Sequence, residues 1–376
     1  MTAPMKEALA AELAALDPAL KRQLDHHAFD AAWFVGLAEQ NLGREPDNRV
    51  KGQVEAPTDA DVLDLPSDPA ERAALIRKGE EVLRAGQCAL IVLAGGMATR
   101  MGGVIKALVE AVDGHSFLDL RLREVERVGH GCPLWLMTSD ATDEGLKQAI
   151  AAHPEAKSVA TFSQNLSLRL TPEGKLFRGE SGQPQSHAPG HGDLPEALAR
   201  SGLLKQFVAD GGKLVLITNV DNLGATLDPL LIGWHLSHGK PISCEGVDKA
   251  GTDRGGIPAR LDGRPVILEE FRLPESFDPT SVRVFNTNTF WVNARALLEL
   301  EMPWTYFTVT KQHGDQRFIQ FERLLGEITS HLDTQFVRVP REGAESRFLP
   351  VKDTAELERR RAEIRNVATS REILSA

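Results

Sequence analysis

Cysteine is scarce, with only Cys88, Cys132 and Cys244 in 376 residues. They are odd in number, far apart and without metal-site spacing, which argues against a disulfide framework and against a thiolate metal centre. They read as core thiols in a reducing compartment. An excess of positive charge is also missing: 43 Lys and Arg stand against 53 Asp and Glu, for a formal net charge of −10. General nucleic-acid binding relies on basic surface and is disfavoured. No stretch reaches membrane-spanning length, and residues 1–20 mix Lys, Glu and Ala without an apolar leader core, so a cytoplasmic protein with no membrane partner is expected. There is no internal repeat and no low-complexity tract. No side-chain nucleophile stands out.

What is present is an ordinary globular composition, 42% hydrophobic and 26% charged, enough for a real core. The length suits one large domain or two to three smaller pieces. The most distinctive stretch is 93–106, LAGGMATRMGGVIK, which follows the branched apolar run CALIVL at 88–93, the signature of a buried parallel strand. A glycine-rich turn leaving a strand lets backbone N–H groups approach a phosphate or a base, and Arg100 and Lys106 add positive charge beside it. A tight strand-to-helix turn with solvated basic residues explains the same letters equally well. The stretch matches neither G-x-G-x-x-G nor G-x-x-x-x-G-K-[ST], so neither a dinucleotide fold nor a Walker ATPase is its natural reading.

Residues 1–43 read as helical, with Asp17-Pro18 as an N-cap and N1 proline, and 44–58 as a linker. A further helix starts at Ser67-Asp68-Pro69 and ends near Gly86. His26 and His27 are neighbours in a helical context and point apart, which disfavours a metal pair. From Cys88 the texture becomes α/β, with strands expected at 88–93, 133–138, 213–220, 241–246 and 282–292. Helices are expected at 116–129, 142–152, 194–209 and 228–238. Asp193 with Glu196 suggests a capping box, and Asp228-Pro229 repeats the N-cap pattern, closed by Gly239. The polar, glycine- and proline-rich stretch 171–192 is long enough for a functional loop.

Several residues on this frame carry chemistry. Asp221 follows strand 213–220, at the carboxyl end where open parallel sheets bind ligands, and a carboxylate beside phosphates is a natural Mg²⁺ ligand. An Asx turn at Asp221-Asn222 is the structural alternative. PGHGD at 189–193 suggests exposed backbone N–H groups near a helix N-terminus, an anion site, with His191 lacking a structural explanation. Gln164, in TFSQ, has a donor and an acceptor that could pair with a base edge. Asn286 and Asn288 flank a threonine in an otherwise apolar strand, which points to a hydroxyl-rich ligand or to an edge-strand turn. Lys352 ends SRFLPVK, and a solvated surface lysine is the alternative there.

These residues resemble the UTP–glucose-1-phosphate uridylyltransferase (UDP-glucose pyrophosphorylase) family of the eukaryotic type. The likeness runs through LAGGMATRMGG, FLDL at 117–120, TFSQ, PGHGD, NVDNLGATLD at 219–228, FNTN at 285–288 and SRFLPVK, and spans roughly residues 88–353. It implies a Rossmann-like nucleotidyltransferase core with a mixed, mostly parallel sheet at 87–340. A helical segment at 1–86 precedes the core, and a short C-terminal segment at 341–376 completes the site. The activity implied is the joining of UTP and glucose 1-phosphate into UDP-glucose and pyrophosphate, with Mg²⁺. Carried over position by position, Leu93, Ala94, Gly95 and Gly96 would hold the uridine, with Gln164 and Gly190 reading the uracil. His191 and Asn219 would contact the sugar phosphate, and Asp221 the metal. Lys106 and Lys352 would support transfer on the phosphates, with Arg100 adding charge and Lys311 near another family lysine. Glu245, Glu269, Asn286 and Asn288 lie where the family recognises the hexose.

The sequence departs from that pattern at Ala98, where glycine is usual, and at Val104-Ile105, where Gly-Pro is usual. The change at Ala98 adds a Cβ where a positive φ could be needed, and losing proline loosens the lysine's placement. The chain ends soon after Lys352, so a member without the family's C-terminal β-helix is expected. Two other readings remain: a UDP-sugar-binding homologue with weak or lost catalysis, and the same chemistry on N-acetylglucosamine 1-phosphate. An NAD-dependent dehydrogenase is disfavoured by the missing fingerprint.

Overall fold

The computed structural model describes residues 3–43, 47–153, 156, 158–251 and 253–375, so the first residues of the expected linker, 44–46, lie outside the described residues. Its centre is an eight-stranded sheet, numbered here in chain order: β1 (Val62–Asp64), β2 (Cys88–Leu93), β3 (Leu134–Thr138), β4 (Val159–Ser163), β5 (Leu214–Asn219), β6 (Ile242–Asp248), β7 (Val284–Asn293) and β8 (Thr334–Arg338). The spatial order is β1-β8-β6-β7-β5-β2-β3-β4, and of the eight only β7 runs against the rest. The sheet is therefore mixed and mostly parallel, as expected. Parallel strands are covered on both faces, which is why β2 and β3 are buried at every position and nearly all apolar rather than alternating.

Alternate side chains of each strand enter two different cores. Leu90, Val92, Leu134, Leu136, Leu214 and Leu216 pack one face, under α4 (Pro69–Arg84), α5 (Phe117–Arg127), α9 (Pro229–His238) and α11 (Thr354–Ser370). Ala89, Ile91, Trp135, Met137, Val215 and Ile217 pack the other, under α7 (Leu194–Ser201), α8 (Leu203–Ala209) and α10 (Ala294–Leu298). A third core joins α1 (Ala3–Ala14), α2 (Pro18–His26) and α3 (Ala31–Asn41) to Leu166, Leu168, Leu170, Leu176 and Phe321. Cys88, Cys132 and Cys244 are free and buried.

Asp17, Asp68 and Asp228 cap their helices ahead of prolines, and Gly239 closes α9 in the left-handed region. Two helical expectations are corrected. The helix expected over 194–209 breaks at Gly202, whose φ is 76°. Asp193 does not cap α7: its carboxylate instead accepts from the Asn165 N–H and from Arg323. A buried carboxylate takes a guanidinium in preference to a cap that water could also satisfy. The capping box lies elsewhere, at Ser116 and Asp119 of α5.

Candidate active site

The carboxyl ends of β2, β3, β4, β5 and β6 and the start of the antiparallel β7 share one edge of the sheet, and most of the chemical motifs gather there. At the end of β2, Ala94 and Gly95 leave the sheet with their carbonyls held by the hydroxyls of Thr142 (3.1 Å) and Ser139 (2.8 Å). Beside them Gln164 is 7% exposed, and among the described residues its side-chain amide makes no protein hydrogen bond. A Cβ on Gly95 would stand 2.6 Å from Gln164 Nε2. The glycine is therefore explained by close approach, and a flat backbone-and-amide slot results.

The loop that follows forms a small hairpin, with Met97 opposite Ile105 and Ala98 opposite Val104. Both departures noted above are accommodated. Ala98 has φ −78°, and the left-handed positions are Gly102 and Gly103 at 90° and 73°, so the added Cβ meets no forbidden conformation. Ile105 lies against Gly145 of α6 (Asp143–Ala151), close enough that a Cβ there would meet its Cδ1 at 2.4 Å. That contact takes over the placing function expected of proline. Lys106, tied by its N–H to the Gly96 carbonyl, reaches Asp221 with Nζ to Oδ2 at 2.6 Å. Arg100 sits exposed in the turn between the hairpin strands.

Asp221 stands on a fixed platform. Arg121 of α5, fully buried and paired with Glu124, donates to the carbonyls of Asn219, Asn222 and Ala225, while Glu124 also accepts from the Leu227 N–H. Asn222 accepts from the Leu349 N–H and donates to the Arg347 carbonyl, so it fastens the C-terminal segment to this loop. The pair for which an Asx turn was the alternative thus divides its work: Asn222 clamps the chain and Asp221 faces Lys106.

The asparagines of β7 have a geometric cause. Between Cys244–Phe290 and Gly246–Asn286 the register slips, so β7 bulges by two residues. Asn288 adopts φ 57°, its N–H accepted by the Asn286 side chain, and its Nδ2 donates to Asn219 Oδ1 at 3.0 Å. Asparagine tolerates this conformation better than most residues. Glu269 adjoins Asn286, Gly255 and Gly256, and a Cβ on Gly256 would lie 2.9 Å from its Oε1. Burial pushes the Glu269 carboxyl up to about 7, with Glu270 and Glu327 adding to the rise against Arg272.

Glu245 is a correction. It is 0% exposed, and both its oxygens are taken, by Arg347 Nε (2.8 Å) and Nη2 (2.5 Å) and by Trp291 Nε1 (2.8 Å). Fully buried and held by these three donors, it anchors the SRFLPVK segment and is not presented to a hexose.

PGHGD is also revised in detail. Gly190 (φ 114°) and Gly192 pack against the backbone of Arg323 and Leu324, and the Gly192 N–H is directed at the Arg323 carbonyl. Close packing, not an array of free N–H groups, is what requires both glycines. His191 accepts the Leu325 N–H at Nδ1 (2.9 Å), and burial pushes its imidazole down to about 4. It is therefore neutral at pH 7 with its proton on Nε2, the atom left to donate to a ligand. Lys311 lies on the neighbouring hairpin, Phe307–His313 with Gln316–Glu322, and pairs with Glu322 at 2.7 Å.

Lys352 is exposed beside the loop that carries Asp253. Burial would raise the Asp253 carboxyl, but Arg341, the Ala250 N–H and the Lys352 ammonium together hold it below the usual range. Among the described residues Lys352 forms no ion pair.

Reading by motif missed Ser139 and Thr142, Arg121, the Gly255-Gly256 pair and Arg323. The paired glycines and the Ser-x-x-Thr just past a strand were signals that could have been weighed; the two arginines had none. Among the described residues no three His, Cys, Asp or Glu side chains converge on one point, so an enclosed metal centre has no ligands. A single strand-end carboxylate, 14% exposed as Asp221 is, fits Mg²⁺, which takes one or two carboxylates and fills its shell with phosphate oxygens and water.

Comparison with known proteins bears on this arrangement. A family model described as UTP–glucose-1-phosphate uridylyltransferase matches residues 34–372. The proteins of that name from Saccharomyces cerevisiae and Solanum tuberosum are each 30% identical, over 78% and 86% of this chain. The chain spans 62% of the length of the first and 71% of the second. A solved UDP-glucose phosphorylase from Trypanosoma brucei, 24% identical, superposes with a TM-score of 0.73 over 96% of this chain and 79% of its own. That likeness speaks for the fold.

Proposed function

The chain belongs to the UTP–glucose-1-phosphate uridylyltransferase family, and we propose that it joins UTP and glucose 1-phosphate into UDP-glucose and pyrophosphate. The observation that carries the reading is the Gln164 amide, 7% exposed against Gly95 and without a protein partner. The amide atoms are not among the buried groups left unpaired, so they reach solvent and can exchange water for a ligand edge with one donor and one acceptor, at roughly 0.5–1.5 kcal/mol net per bond. Uracil presents such an edge. Leu93, Ala94, Gly95 and Gly96 form the platform under it, and Gly190 closes the far side.

In the reaction an oxygen of the sugar phosphate forms a bond to the α-phosphorus of UTP, and the bond to pyrophosphate breaks. No protein nucleophile is needed; the work is positioning and charge neutralisation. Asp221 would hold Mg²⁺, which would supply positive charge against the phosphates. Lys106 is already at the Asp221 carboxylate and supplies a second cation there, while the exposed Arg100 and Lys352 would add positive charge for the β- and γ-phosphates. Asn219, oriented by Asn288, and the Nε2–H of His191 position the sugar phosphate. Glu269 and Asn286 face the hexose, where a carboxyl near half-protonation can both donate to and accept from hydroxyls. Lys311, paired with Glu322, acts on the same side as His191.

Among the described residues no helix is long and apolar enough to cross a membrane, and the three free thiols suit a cytoplasmic protein. The test of function is pyrophosphate release with UTP, Mg²⁺ and a panel of sugar 1-phosphates. Glucose 1-phosphate is expected to give the highest kcat/KM, and release with none of them would end the proposal. Preference for N-acetylglucosamine 1-phosphate would move the assignment to that acceptor. Tight UDP-glucose binding without turnover would favour a binding-only homologue, although the Ala98 geometry removes the loop defect that suggested it.

A further inference from the structure

We infer that His27, at the end of the second N-terminal helix, is a positioning residue for base recognition: its ring holds the backbone of Gln164, the amide wall of the uracil slot. The inference rests on the reading of Gln164 as the base-reading residue. It goes beyond the family pattern, since His27 lies outside the matched residues 34–372.

His27 is 7% exposed, with its ring between the two walls. Its Nδ1 is 3.1 Å from the Gln164 carbonyl and 3.2 Å from Ser163 Oγ. A carbonyl can only accept, so the proton is on Nδ1 when that bond is made. On the other side Nε2 stands 3.6 Å from Asp140 Oδ1, beyond hydrogen-bond reach, and that oxygen accepts instead from Gln23 of α2 at 2.7 Å. Asp140 lies in the turn whose Ser139 and Thr142 hydroxyls hold the Gly95 and Ala94 carbonyls. The imidazole thus holds the backbone of the amide wall, and Gln23 of the same helix holds the turn that fixes the glycine wall. The Leu166 N–H returns a bond to the His27 carbonyl.

The helix that carries His27 is itself anchored. Leu24, Leu9 and Phe34 bury against Leu166, Leu168 and Leu170, directly after Gln164. Ala28, with φ 56°, turns the chain so that His27 ends the helix with both its ring and its carbonyl on the 163–166 strand end. This gives the N-terminal helices a role that helical composition could not disclose. They brace the slot from behind without touching substrate.

Three substitutions separate the bond from mere bulk. Asparagine places an N–H where Nδ1 stands, glutamine places its amide nearer Nε2, and alanine supplies neither. Loss of one hydrogen bond of about 0.5–1.5 kcal/mol corresponds to a roughly 2- to 12-fold change. His27→Ala should raise KM for UTP by that factor, leave kcat and the KM for the sugar phosphate within about twofold, and lower the preference for UTP over CTP. His27→Asn should restore most of the loss and His27→Gln should not. An unchanged KM for UTP, equal rises in both KM values, or no difference between the asparagine and glutamine variants would overturn the inference. Should the alanine variant not fold, the asparagine–glutamine comparison decides alone. UTP calorimetry on the same variants reads the slot without turnover, so an inactive wild-type protein would refute the proposed reaction while leaving this test standing.

Discussion

Gly95→Ala isolates the base slot from the rest of the site. The added Cβ would lie 2.6 Å from Gln164 Nε2 and 3.3 Å from Ser139 Cβ. Gln164 is flexible at its end, so the amide swings away at small cost to the fold. Gly95 itself is not among the positive-φ glycines, so the backbone is not strained either. Function should suffer far more than stability. If the amide makes two hydrogen bonds to uracil at about 0.5–1.5 kcal/mol each, losing both costs about 1–3 kcal/mol, or roughly 5- to 150-fold in kcat/KM for UTP. The assay is pyrophosphate release with UTP varied at saturating glucose 1-phosphate, alongside a thermal melt. Gln164→Ala should give a similar loss, and the double variant little more, because both act on one contact. A Gly95→Ala protein with wild-type UTP kinetics, or losses that add fully in the double variant, would refute the slot as drawn.

Asp221→Asn should abolish Mg²⁺-dependent turnover while shifting stability by less than about 1 kcal/mol, since its pair with Lys106 is partly solvated; retained Mg²⁺-dependent turnover would remove its metal role. Arg347→Ala strands the fully buried Glu245 and should destabilise by roughly 3–5 kcal/mol in chemical denaturation, whereas the double change Arg347→Met with Glu245→Leu should recover most of that. A single variant as stable as wild type would show that the pair is not needed. Glu269 holds its proton to about pH 7 in the folded protein and releases it near its ordinary value of 4.5 when unfolded. Between these values the native state binds more protons, so stability falls as pH rises. Glu269→Gln should flatten that part of the melting profile and melt higher than wild type at pH 8; parallel profiles would contradict the shift.

How much of this was legible in the letters depends on the range of the interaction. Strand and helix types were readable because they follow from short-range features: continuous branched runs in the buried parallel strands, and Asp-Pro caps at Asp17, Asp68 and Asp228. The gathering of LAGG, TFSQ, NVDN and FNTN at one sheet edge was also foreseeable, since parallel strands point their carboxyl ends the same way. Boundaries inside helices were less so, as the break at Gly202 shows.

The residue order by itself determined the α/β class, the family and the residues worth suspecting. What only the tertiary structure decided was which of those side chains are free to act. Asp193 lies in a promising motif and Glu245 where the resemblance implies hexose recognition, yet each carboxylate is taken by an arginine more than a hundred positions away. Ala98 and Ile105 looked like defects until the hairpin and Gly145 showed what they rest on. His27 looked idle until the helices docked on Gln164. The physical reason is common to all of them. A polar or apolar group is committed by whatever partner folding brings within about 3–4 Å, and that partner's distance along the chain leaves no mark on local pattern.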